Sequence, residues 1–241
     1  MRERTNAGGP WRARSRILAA GAVTGLLTMA GISGCVFLPD VTGTPDVSPE
    51  GQISFACALA SHVSEERGDV AEWGSFIGED ANPGVSELAA AASLVGAVAG
   101  YTLPDHPELS ESGTLVIQGI VRVDEAAIAD GLDQMISACD GADTGGQADV
   151  SQEGQGAYAC ALAEYVIAEH GESSTWGTLG EEPAWHLAGS VGALFGGANA
   201  YVLPEYESQA ESGNNLVSGV GRLDGETIDA ELAAVVAECD S

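Results

Sequence analysis

The stretch Asp46-Val-Ser-Pro-Glu-Gly-Gln52 returns as Asp149-Val-Ser-Gln-Glu-Gly-Gln155. Ala56-Cys-Ala-Leu-Ala60 returns as Ala159-Cys-Ala-Leu-Ala163, and Trp73-Gly74 returns as Trp176-Gly177, all 103 positions on. A three-residue deletion in the second copy then resets the separation to 100. Pro83 matches Pro183, Tyr101-x-Leu103-Pro104 matches Tyr201-x-Leu203-Pro204, and Arg122-x-Asp124 matches Arg222-x-Asp224. Cys139-Asp140 matches Cys239-Asp240. Self-similarity at a fixed period marks a duplicated structural unit. We read two modules, 48–140 and 151–241, joined by a Gly-, Asp- and Gln-rich linker at 141–150. Each is long enough for a small core of its own.

Each module reads as four helices. Ser48 and Ser151 are N-cap residues for the first, with Pro49 at the first helical position in copy one. Ile53, Ala56, Cys57, Ala60 and Val63 then recur at helical spacing. The second helix follows Pro83 or Pro183 and runs to about Gly100 or Ala200. A third is expected to begin at Pro104 or Pro204. A strand over 115–123 competes with it because that stretch is β-branched, but Asn214-Asn215 at the matching place disfavours a buried strand. Asp124 and Asp224 cap the fourth helix, whose stripe is Ile128, Leu132, Met135 and Cys139 in copy one. The expected fold class is all-α: two tandem repeats, each a small disulfide-linked four-helix module.

Each module holds two cysteines, with no CxxC and no zinc spacing. In an up-down-up-down bundle the start of helix one lies beside the end of helix four. That places Cys57 by Cys139 and Cys160 by Cys239, and these are the expected disulfides. Each closes a loop worth about 4 kcal/mol in the chain-entropy model.

The fifth cysteine has another setting. Arg2, Arg4, Arg12, Arg14 and Arg16 precede an uncharged apolar run at 17–32, followed by Ser33-Gly34-Cys35. A basic region, an apolar region and small residues before a cut describe a secretory signal. Ile32-Ser33-Gly34-Cys35 resembles the lipobox of bacterial lipoproteins at every position. The resemblance covers residues 1–35 alone and implies cleavage after 34, a diacylglyceryl group on Cys35 and a short tether at 35–47. It implies a membrane partner through the N-terminal lipid, on the outer face of the cytoplasmic membrane. Two acyl chains suffice for stable anchoring.

All eight basic residues are Arg, against 36 acids, for a formal net charge of −28. Removing 1–34 takes five Arg and one acid, leaving Arg67, Arg122 and Arg222 and a charge of −32. Such a chain repels phosphate backbones, which excludes nucleic acid as a partner. At 45% hydrophobic with periodic spacing it is not a disordered acidic tail. Absent Lys and abundant Ala, Gly and Asp are what a GC-rich genome, an actinobacterial one first, or a salt-adapted organism writes.

The stretches 88–103 and 187–203 carry no charge, but they are short for a membrane span and rich in Ala and Gly. They read as central bundle helices, with Gly96 and Gly196 admitting a close neighbour. Trp73 and Trp176 read as plugs at the ends of the core. Arg122 and Arg222 share a module position and read as structural ion-pair partners at a helix junction. Trp185-His186 occurs in copy two alone and is the candidate partner contact. His62, His106, His170 and His186 have no matching His in the other copy, so no metal site is expected. No catalytic motif and no cofactor fingerprint is present, so no catalytic residue is named and no cofactor expected. The expected function is binding or scaffolding in the envelope, with an envelope protein or cell-wall component as partner. A solute-binding lipoprotein and an enzyme with a site between the modules are the alternatives.

Overall fold

The computed structural model describes residues 44–76, 82–101, 106–140, 148–178, 182–200 and 207–239. Cys35, with the expected signal and most of the tether, lies outside them, as does most of the linker. The described chain is all-helical: α1 (Pro49–Glu66), α2 (Pro83–Tyr101), α3 (Pro107–Arg122), α4 (Glu125–Asp140), α5 (Gln152–His170), α6 (Pro183–Ala200), α7 (Glu207–Arg222) and α8 (Gly225–Cys239). Single 3-10 turns follow α1 (Val70–Glu72) and α5 (Ser173–Thr175). The β-branched stretch at 115–123 is helical up to Arg122.

The repeated Asp-Val-Ser motif is a device for starting a helix. Ser48 Oγ accepts from Gly51 N, and Asp46 Oδ1 accepts from Ser48 N at 2.9 Å. Gln52 Nε2 donates back to Val47 O at 2.8 Å. Ser151, Asp149 and Gln155 repeat the three bonds at α5. These bonds satisfy orphan backbone groups at and just before the helix start. Gly51 and Gly154 complete the motif, because a Cβ at either would strike Asp46 or Asp149.

One expectation about boundaries changes. α3 begins at Pro107, not Pro104, with Pro107 in the first helical position; Pro104 and Pro204 lie outside the described residues. The turns into α4 and α8 are Schellman motifs, in which Asp124 N–H bonds to Gly119 O and Val123 N–H to Ile120 O. Leu223 and Asp224 repeat them.

Two disulfides, Cys57–Cys139 and Cys160–Cys239, tie α1 to the end of α4 and α5 to the end of α8. Their Cα separations are 5.6 and 5.9 Å. The pairing is the one that antiparallel packing requires.

The core is shared. One buried cluster runs through α1–α4 and α5–α8 alike, and the described helices form one compact unit. The reason lies in α2 and α6, which are apolar all round and must be covered on every side. Their most extensive contact is with each other. Phe55 lies flat on Tyr158, its ring centroid 3.7 Å away. Ser190 Oγ donates to Ala90 O at 3.2 Å, which joins α6 to α2 at mid-length. No helix among the described residues is long and apolar enough to cross a membrane.

A candidate binding cleft between the halves

Two features rise from this packing. The first is a buried carboxylate. Glu87 stands one turn into α2 and is fully buried. Arg67, just past the end of α1, grips it with two parallel bonds, Nε to Oε2 at 2.8 Å and Nη2 to Oε1 at 2.9 Å. Gln155 of α5 donates to Oε1 at 3.0 Å. Arg67 Nη2 also lies 3.2 Å from His62 Nε2. That imidazole nitrogen also lies 3.7 Å from Glu87 Oε1. The cluster holds α1, α2 and α5 together around one charge. Among the described residues it contains a single carboxylate and no nucleophile, which suits a clasp rather than acid–base work. Sequence reading missed it by treating acids as solvated. The signal was Glu87 as the lone acid on an otherwise apolar helix, with Leu187 at the matching position.

The second feature is a cleft of about 430 Å3 over the contact between α2 and α6. Helix α3 forms one wall with Ile117, Ile120 and Val121; α7 forms the other with Val217 and Val220. Val121 is 78% and Val217 46% exposed, so the walls open to solvent. Gly96, Gly189, Ser93 and Ala92 contribute to the floor. Trp185 and His186 also line it. Among the described residues no acidic side chain and no other titratable one does so, in a chain with 36 acids.

The room comes from glycines. Gly113 is demanded by packing, since a Cβ there would lie 2.7 Å from Ala92 O. Gly189 and Gly221 are not. The nearest atoms to a Cβ at Gly189 are Ser93 Oγ and Val220 Cγ1, both at 3.9 Å, and a Cβ at Gly221 would meet nothing within 4 Å. A glycine inside a helix costs about 1 kcal/mol against alanine. Here that cost coincides with open space.

The residues singled out in the sequence fall as follows. Trp185, expected as a partner contact, is 7% exposed, and its indole N–H donates to Gly177 O at 2.9 Å. It meets Trp176 edge to face at 5.3 Å. His186 is half-buried in the cleft wall, and burial pushes its pKa below the ordinary imidazole value. A Cβ at Gly96 would lie 3.5 Å from its Nδ1, an ordinary contact that does not require glycine; a Cβ at Gly196 would lie 3.2 Å from Asn214 Oδ1 of α7, where the approach is closer. Trp73 and Trp176 are buried, and both donate to carbonyls at the ends of α1 and α5.

Arg122 and Arg222 are exposed, and among the described residues neither lies within ion-pair distance of a carboxylate. Asp224 is held below the ordinary carboxylate range first by the Thr227 hydroxyl and amide, with a smaller contribution from Arg222. The strong arginine pair belongs to Arg67. Among the described residues no group of three His, Cys, Asp or Glu side chains is placed to hold a metal ion.

Compared with protein-family models, with curated proteins and with solved structures, the chain matches none of them.

Proposed function

We propose that this is a lipid-anchored, extracytoplasmic binding protein whose ligand is a small, largely apolar molecule held in the cleft between α3 and α7. The observation that carries the reading is the cleft itself. It is concave, apolar and within the 300–1,000 Å3 range of small-molecule sites. The anchor rests on Ile32-Ser33-Gly34-Cys35 and the basic and apolar segments before it.

The architecture behind the cleft is a fused pair of four-helix repeats about an approximate twofold. Phe55 stacks on Tyr158 and Ala90 bonds to Ser190, each residue meeting its own counterpart in the sequence repeat. Self-complementary contact of that kind is how two copies meet in an isologous interface. Ile117 and Val217, Ile120 and Val220, and Val121 and Gly221 are matched pairs in the cleft. The site therefore lies on the axis and needs both repeats. Binding is favoured over catalysis because, among the described residues, the lining offers one titratable side chain and no carboxylate to work with it. It is favoured over a flat protein contact because the apolar surface is concave.

The test compares the full chain with Cys35→Ser and Val217→Glu in membrane and soluble fractions. An uncharged fluorescent dye, N-phenyl-1-naphthylamine, reports the cleft. The full chain and Val217→Glu should sediment with membranes, and Cys35→Ser should not. Dye binding should fall at least tenfold in Val217→Glu with thermal stability unchanged, since Val217 is exposed. Equal dye binding by Val217→Glu and the full chain would overturn the site.

A further inference from the structure

The cleft is charge-free in a chain that is otherwise dense with charge, and that contrast says what it takes. An anion would find no arginine in the lining and would face the field of the surrounding carboxylates. Arg122 and Arg222 follow Val121 and Gly221 in sequence but are not among the lining residues. A cation would be drawn to the surface but would find no carboxylate inside. The walls are chiefly branched aliphatic side chains, with Thr114 and Gln118 of α3 beside them. Toward the Trp185–His186 end the lining gains an imidazole, where the first repeat has Ser86. The volume lies at the low end of the small-molecule range, room for one chain and not for a two-chain lipid seated whole.

Resting on the binding reading above, we infer that the cleft takes an uncharged single-chain amphiphile. Its hydrocarbon lies along Ile117, Ile120, Val121, Val217 and Val220, and one hydrogen-bonding group, an alcohol or ester, meets His186. His186 is the specificity-determining residue. The apolar walls give affinity without direction; Thr114 and Gln118 are exposed to water, whereas His186 is half-buried, so a hydrogen bond there fixes which end goes in.

The experiment uses the full chain in lipid nanodiscs and three probes that each carry a diazirine on a ten-carbon chain: decanol, decanoate and decyltrimethylammonium. After photolysis, labelled peptides are mapped and scaled to labelling of the lipid. Decanol should label 107–122 and 207–222 at least fivefold more than either charged probe. His186→Leu should cut that labelling several-fold, and His186→Gln, which keeps a hydrogen-bonding side chain, should restore most of it. Circular dichroism checks that both variants melt as the parent does. If decanoate labels these peptides as strongly as decanol, Arg122 or Arg222 reaches the cleft and the uncharged class is wrong, while the site stands. Equal labelling by decyltrimethylammonium overturns the class in the same way. If no probe labels either peptide, the binding reading itself fails. If His186→Leu labels as the parent does, His186 has no part in specificity.

Discussion

At the scale of single residues, the most unusual positions are Val123 and Leu223. Both hold left-handed backbone, with φ of 54° and 56°, where helices of this kind normally carry glycine. Left-handed backbone costs an L-residue roughly 1–2 kcal/mol, and both side chains are more than half exposed, so little packing offsets it. Val123→Gly should therefore stabilise the protein by about 1 kcal/mol, a rise of about 2–4 °C in Tm for a chain of this size. Calorimetry checks this, and a lower Tm would mean that Val123 packs in a way its exposure conceals. These positions were not legible in the sequence, because the pattern gave a helix end at Asp124 but not a turn type. The same limit hid the Arg67–Glu87 pair. Periodicity reports which face of a helix is apolar; it is silent on a lone charge that dives into that face to meet a partner 20 positions away.

At the scale of helices, the order and most caps could be read from the chain. Ser48, Ser151, Asp124 and Asp224 act locally, through bonds to residues three positions on. The disulfides were legible for a related reason: antiparallel neighbours leave few ways to bring helix ends together. What joins α1, α2 and α5 was not. The Glu87 cluster makes that joint, and its energetics give a sharp prediction. Breaking a buried ion pair from one side costs about 3–5 kcal/mol, because the other charge is left buried and unpaired. Arg67 is partly exposed, so the low end applies: Glu87→Gln and Arg67→Met should each cost about 3 kcal/mol. The double variant Arg67→Met/Glu87→Leu, which gives copy one the leucine that copy two has, should lie within about 1 kcal/mol of the parent. Urea unfolding measures all three. Losses that simply add in the double variant would show that the two side chains act separately.

At the scale of the whole molecule, the sequence repeat pointed to two modules, and the helices share one core instead. A repeat reports that two segments are built alike; it does not report that α2 and α6 cover each other. The cleft was equally hidden, since residues as far apart in sequence as Ala89 and Gly221 line it. On the proposed function, Gly189 and Gly221 keep space in it for a ligand rather than for a neighbouring helix. Gly189→Ala separates the two roles. The structure has room for the methyl, so helix propensity alone should raise stability by about 1 kcal/mol. The same methyl projects toward Ser93 and Val220 across the cleft floor. The measurement to make is Tm and N-phenyl-1-naphthylamine affinity on the same Gly189→Ala preparation. A higher Tm together with dye binding weakened several-fold is the expected result. A lower Tm, or dye binding equal to that of the parent, would contradict it.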